Sequence, residues 1–377
     1  MPLSADHEQI RDAVRRFARE RLAPNAARWD RDKLFPREEM QGLAGMGLCG
    51  VAIPERWGGA GLDYTALGLA CEEISAGDGS TCTILMVTNL VANIVQGYGD
   101  DAQKKEFLVP LAQGKMLGAF CLTEPHAGSD AAAITTRAEK SGGHYVLNGV
   151  KQFITSGKSA GIAVVFAVTD KAQGKRGISA FLVPTSTPGY TVARIEDKTG
   201  QRASDTAQIV LENCKVPAAN LLSGEGAGYR IALANLESGR INVAAQATGM
   251  ARAALEAALA YAGERKSMGN TLLQHQAVNF RLADMATGVE ASRQLYLHAA
   301  ALRDAGAPCL KEASMAKLFA SETAERVCSD AIQIHGGYGY VADFPVERIW
   351  RDVRVCQIYE GASDIQRLVI GRALESA

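Results

Sequence analysis

At 377 residues, 47% of them hydrophobic and 6% aromatic, the chain is long and apolar enough for two or three domains with packed cores. A formal net charge of −1 with no long basic run excludes nucleic acid and anionic membrane surfaces as its natural partners. The eight cysteines, at positions 49, 71, 82, 121, 214, 309, 328 and 356, form no C-x-x-C pair. That spacing argues against a zinc site or a disulfide framework and for a reduced, cytoplasmic setting.

The N-terminal stretch MPLSADHEQIRDAVRRF reads as a charged amphipathic helix rather than a signal peptide, and no apolar run reads as long enough to span a bilayer. Residues 1–117 are expected to form a helical domain. Ile10, Val14, Phe17 and Leu22 share a face, and Leu67, Leu69, Ala70 and Ile74 resume the pattern after the break at PERWGGAGLD. STCTILMVTNLVANIVQGYG reads as an apolar helix buried all round. Residues 118–227 change texture. Asn148-Gly149 lies between two β-type runs and predicts a hairpin turn there. GIAVVFAVTD, GISAFLVP, GYTVARI and TAQIVLENCKVP follow at short intervals, predicting a β-sandwich or small barrel. Residues 228–377 return to long helices. Val278, Leu282, Met285, Val289, Tyr296 and Ala299 keep a helical period, and ASMAKLFASETAERVCSDAIQI stops at a C-cap, His335-Gly336-Gly337. The expected class is α+β multidomain: N-terminal α-helical domain, middle β domain, C-terminal four-helix bundle.

Near the end, RVCQIYEGASDIQRL places Glu360 after an apolar run and just before Ser363 and Gln366. Those two residues have capping-box spacing and predict a helix start after Ser363. Glu360 is then either a solvated loop acid or a positioned general base. HGGYGY and GEGAGY lack the strand–loop–helix setting of a phosphate loop, and no Walker A, G-x-S-x-G or H-E-x-x-H sequence is present.

Five segments together resemble the acyl-CoA dehydrogenase family: FCLTEPHAGSD (120–130), LNGVKQFITSG (147–157), ERKSMGNTLLQHQAVNFRLADM (264–285), QIHGGYGY (333–340) and IYEGASDIQR (358–367). The resemblance implies FAD as cofactor, a coenzyme A thioester as substrate, electron-transferring flavoprotein as partner and a homotetramer. Removing hydrogen across Cα–Cβ needs a base for the α-proton and an organic acceptor for the β-hydride, since no side chain accepts a hydride. By the resemblance Glu360 is that base, with a raised pKa in a mostly apolar pocket, and its backbone N–H stabilises charge on the thioester oxygen. Relatives with the base elsewhere carry it at the position of Gly239, which has no side chain to serve.

Phe120, Leu122, Thr123, Ser129, Phe153, Ile154 and Thr155 resemble flavin contacts, with Phe153 in place of a commoner tryptophan. Arg265, His275, Gln276, Gln333, Ile334, His335, Gly336 and Gly337 resemble residues that reach a neighbouring subunit's FAD. Arginine suits a pyrophosphate because its planar fork can bind two oxygens. Ala362, Ser363 and Asp364 follow the base; Ala362 replaces a frequent threonine, leaving one flavin hydrogen bond missing or supplied by Ser363 or water. Ser129, Glu237, Arg240, Tyr359 and Gly361 resemble substrate contacts, although Glu237 and Arg240 also read as a surface i, i+3 ion pair. ILMVTNLVANI is expected to line the acyl pocket and holds no Arg or Lys, which argues against a dicarboxylyl thioester and for a short or short-branched chain. The rival readings are a flavin oxidase or desulfinase on the same scaffold, and a non-catalytic helical binding protein.

Overall fold

Ser4 accepts a hydrogen bond from His7 N and so starts α1 (Ala5–Phe17), which passes through a π turn (Ala18–Leu22) into α2 (Ala23–Asp32). These and all later coordinates come from a computed structural model that describes residues 3–375. Met1, Pro2, Ser376 and Ala377, the ends of the first and last expected domains, lie outside the described residues. After α3 (Arg37–Gly45), the side chain of Asp63 caps α4 (Tyr64–Gly77) and that of Asp78 caps α5 (Gly79–Tyr98). Two short helices, α6 (Asp101–Gln103) and α7 (Val109–Ala112), complete the first helical zone. Helix α5 corrects one expectation, because by length and composition it could cross a membrane. Its apolar run is instead 83% buried inside the protein, as the all-round pattern requires.

The middle zone is one mixed sheet of seven strands: β1 (Gly118–Cys121), β2 (Arg137–Ser141), β3 (His144–Thr155), β4 (Ile162–Val168), β5 (Ile178–Pro184), β6 (Tyr190–Ile195) and β7 (Thr206–Pro217). Their order is β1-β4-β2-β3-β7-β6, with β5 also paired to β4. The sheet curls. Tyr145 of β3 and Phe181 of β5 lie with ring centroids 5.0 Å apart although two strands separate them in the sheet. Successive residues of β4 face different cores: Ile162, Val164 and Phe166 pack with α5 and α7, whereas Ala163, Val165 and Ala167 fill the inside of the curl. Burial on both faces explains why IAVVFAV shows no polar alternation.

Asn148-Gly149 is not the hairpin turn. The turn lies earlier, at Gly142-Gly143, where Ser141 pairs with His144 and Gly142 takes φ 59°. Asn148 and Gly149 sit inside β3 at an irregularity in its pairing with β7, and the Asn148 side chain accepts from Asn213 N across it. A Cβ at Gly149 would lie 2.7 Å from Thr136 Cα, so the glycine answers a close approach and not a turn.

The second helical zone holds α8 (Gly228–Glu264), α9 (Gln276–Asp304), α10 (Leu310–His335), α11 (Val346–Val353) and α12 (Ser363–Glu375). A two-residue hairpin, β8 (Lys266–Ser267) with β9 (Asn270–Thr271), joins α8 to α9. Gly336 closes α10 with φ 60°, as the His-Gly-Gly signal predicts. Both helical zones share one core in which Leu67, Ile74 and Leu85 meet Ile241, Met250, Tyr296 and Val327. Each large aliphatic side chain buried there contributes about 1.5–3 kcal/mol. The same packing seals an ionic cluster: Glu72 and Glu73 of α4 receive Arg252 of α8 at 3.1 and 2.6 Å, and the Tyr296 hydroxyl donates to Glu72 at 2.6 Å.

Candidate active site

Glu360 stands in the turn between Tyr359 and α12 with φ 55°, and Gly361 follows with φ 91°. Left-handed backbone at a non-glycine residue costs of order 1–3 kcal/mol, so something must hold it. Gln366 does so from α12: its side-chain amide donates to Glu360 O at 3.1 Å and to Gly361 O at 2.8 Å. The expected capping box is therefore not formed. Gln366 is committed to those carbonyls, and the buried Ser363 Oγ has no partner among the described residues. Helix α12 still begins at Ser363.

The Glu360 carboxylate lies against α8 at Gly239. A Cβ there would come within 2.8 Å of its Cδ, so Gly239 is the space into which the carboxylate fits. Although the residue as a whole is half-buried, Oε2 is sealed from solvent and accepts no hydrogen bond among the described residues. Burial pushes Glu360 up to about 7, against the opposing charges of Arg240 and Lys317. The surroundings thus differ from the expected apolar pocket. Ile358 is exposed, and two buried cations attend the carboxylate. Arg240 donates to Ser314 Oγ at 3.2 Å and leaves its Nε unpartnered. Burial holds it below the usual arginine range, offset by Glu360 and then Glu237.

Glu237 is not the hydrogen-bonded partner of Arg240. It pairs with Arg303 at 2.8 Å, and that guanidinium lies 4.4 Å from the Tyr64 ring centroid. Next to Glu360, Tyr359 donates to Gln246 Oε1 and accepts from Gln201 Nε2 at 3.3 Å. Gln246, fully buried on α8, also donates to Thr83 Oγ1 at 2.7 Å and Gly79 O at 3.1 Å on α5.

The sheet joins this site through the loop before β7. Gln201 bonds to both Asp352 and Tyr359, and Asp205 of the same loop accepts from Ser156 N at 2.9 Å, just past the end of β3. Phe153 on that strand end is 64% exposed and takes φ 58°, next to an irregularity in the pairing with β7. An aromatic ring held in water by strained backbone has the form of a platform for a flat ligand. Ile154 is buried in the sheet and Thr155 is half-buried. The loop after β1 is fixed alongside: Thr123 O accepts from Gln152 N at 2.9 Å, and Leu122 O accepts from Lys151 Nζ at 3.1 Å. Lys151 is fully buried on Glu124 at 2.8 Å; burial works against ionisation there, but Lys151 and the Thr135 and Thr136 donors hold Glu124 down to about 2. Phe120 packs edge-on to Phe166, and Ser129 is exposed.

The remaining expected cofactor residues gather elsewhere. Arg265 ends α8 with its guanidinium 5.8 Å from the Tyr338 ring, and His335 stacks on Tyr261 at 4.4 Å. His275 contacts Ser267 O at 3.1 Å, and Gln276 opens α9. Gln333, Gly336 and Gly337 are exposed at the end of α10, and Ile334 is buried in its last turn. At about 1.5 Å per residue, Arg265 is roughly 40 Å along α8 from Gly239. One chain therefore does not bring its two cofactor-like groups together.

Three family models match in register: acyl-CoA dehydrogenase N-terminal domain at residues 4–115, middle domain at 119–214 and C-terminal domain at 226–375. The chain belongs to the acyl-CoA dehydrogenase family. An acyl-CoA dehydrogenase of Bacillus subtilis is 47% identical, with 99% of both chains covered. The butyryl-CoA dehydrogenase structure from Megasphaera elsdenii superposes with a TM-score of 0.98 at 42% identity, covering 100% of this chain and 99% of that one. A chain from a structure described as the electron transferring flavoprotein of Acidaminococcus fermentans gives a TM-score of 0.98 at 45% identity, covering 99% of each. Family membership makes the protein an oxidoreductase enzyme of a flavin-dependent family. Two observations fit a flavin: the exposed, strained Phe153 and the orphaned Ser363 Oγ three residues after Glu360. Lys317, Gln246 and the Lys151–Glu124 pair were not singled out from the sequence, because each acts on a residue 27 to 113 positions away and no short motif marks them; Gln366 was singled out only as a helix cap.

Proposed function

We propose that the chain removes hydrogen from Cα and Cβ of a short acyl-CoA thioester, giving the trans-2-enoyl-CoA, with Glu360 as the base. The observation that carries this reading is the Glu360 carboxylate, its Oε2 sealed and unpartnered against Gly239, and the acid pushed up to about 7. A base with that pKa is part ionised at neutral pH and strong enough to take an acidified α-proton. FAD, when bound, accepts the β-hydride. Phe153, Thr123 and Ser363 would hold its ring, and the Glu360 N–H would face the thioester oxygen. Arg265, His275, Gln276 and the 333–337 segment would hold the FAD of a second copy. Their distance from the base and the exposed Met268, Phe280 and Tyr340 near them support a homotetramer assembled from dimers. A short chain is favoured because Gln246, Thr83 and Tyr359 form a buried hydrogen-bonded network beside Glu360, and a long chain running there would have to unpair it. The butyryl-CoA relative agrees with this, and the flavoprotein relative supports electron-transferring flavoprotein as acceptor.

Anaerobic flavin bleaching with a panel of acyl-CoA esters tests the reading. Butyryl-CoA should bleach faster than octanoyl-CoA. Glu360→Gln should stay yellow, bind the ester and bleach at least about 10³-fold more slowly. Undiminished bleaching in that variant would sink the assignment. Fast reoxidation by air would favour the oxidase alternative.

A further inference from the structure

Lys317 lies on α10 with its side chain fully buried, and its ammonium donates to Gly361 O at 2.8 Å. That is the only hydrogen bond to its three donors among the described residues. An ammonium buried with one acceptor is a costly way to fill space, and an aliphatic side chain of similar volume would pack there more stably. The carbonyl it holds belongs to the residue after the base, in the two-residue left-handed segment that Gln366 grips from the other side. Two elements, α10 and α12, thus converge on one peptide whose only evident task is to aim the Glu360 side chain at Gly239.

The charged groups that bear on the Glu360 carboxylate are Arg240 from α8 and Lys317 from α10; α12 contributes only the neutral Gln366 amide. Lys317 is itself faced by Cys356, Glu360, Arg240 and, along its own helix, Glu322. We propose that Lys317 is a positioning residue for the base, its ammonium fixing the Gly361 carbonyl and keeping the Glu360 carboxylate ionised for work at neutral pH. The proposal rests on the assignment of Glu360 as base. Burial pushes Lys317 down to about 8, so the ammonium form persists through neutrality and is lost just above it.

Three variants separate geometry from charge. Lys317→Gln retains a donor without charge, Lys317→Met retains neither, and Lys317→Arg retains both. Bleaching by butyryl-CoA is followed against pH, together with proton uptake on binding a non-oxidisable butyryl-CoA thioether, measured by calorimetry in two buffers. In Lys317→Gln the acid limb and the proton uptake should both move up by about one pH unit. Lys317→Met should add a roughly tenfold loss on the high-pH plateau from a misaimed base. Lys317→Arg should return the limb toward its wild-type position. A folded, yellow Lys317→Gln with an unmoved limb overturns the proposal, and so does failure of all three variants to fold, which would make the lysine a core residue only. If Glu360→Gln still bleaches, the base assignment itself falls.

Discussion

Helix α8 carries two buried arginines that each face carboxylates, and the two clusters have opposite properties. Arg252 meets Glu72 and Glu73, where Arg293, Arg15 and Tyr296 add further donors. Arg240, roughly 18 Å away along the axis, meets Glu360, which receives no hydrogen bond on Oε2. Burial pushes both Glu72 and Glu360 upward. At Glu72 the bonds from Arg293 and Tyr296 overcome it and hold the acid below the ordinary carboxylate range. At Glu360 charge without contact falls short, and the acid rises to about 7. Burial and a nearby guanidinium are common to both; the number of donors touching the oxygens decides which acid is held ionised as a staple and which is left with a raised pKa, as a base needs.

Substitutions on α8 should split stability from chemistry along that line. Gly239→Ala adds a Cβ in the space of the Glu360 carboxylate, the mobile end of a side chain that can swing away. Bleaching by butyryl-CoA should fall by about 10²-fold or more. The thermal midpoint should hold or rise slightly, since alanine is the better helix former by about 1 kcal/mol. Arg252→Met should do the reverse. Chemical denaturation should show a loss of about 3 kcal/mol from uncompensated Glu72 and Glu73, while the acid limb of kcat/KM stays in place. The smallest effect concerns pH and stability. Folding raises the Glu360 pKa, so the proton-linked stabilisation is complete below the unfolded value and is lost as pH rises through about 7. Glutamine cannot ionise, so the Tm advantage of Glu360→Gln over wild type should grow between about pH 5 and about pH 8. A constant difference would mean that the carboxylate is solvated after all.

The same contrast explains what the sequence could disclose. Helical period and short β-type runs at close intervals made the three zones legible because each is set by local spacing. Glu360 drew notice for the same reason, since it sits in a short stretch with a recognisable family pattern. Its seat did not. Gly239 lies 121 positions earlier (360 − 239), and nothing local says that its missing side chain is another residue's space. Asn148-Gly149 misled because a bulge and a turn ask for the same dipeptide. Glu237 and Arg240 looked like partners at i, i+3, but Arg303 took the glutamate and left the arginine beside Glu360. Gln366 had the right spacing for a cap and was spent on the two carbonyls that hold the active turn.

That last diversion ties the chain's final helix to its chemistry. Lacking the side-chain cap, α12 forgoes about 1 kcal/mol at its first turn and leans on side contacts such as Arg367 to Glu322 at 2.6 Å. Fraying of this helix from its start would release Gln366's hold on residues 360 and 361, leaving Lys317 alone on Gly361 O. Amide hydrogen exchange in the first turn of α12 should therefore slow when an acyl thioester is seated, making the tail of the protein a reporter of occupancy at its centre.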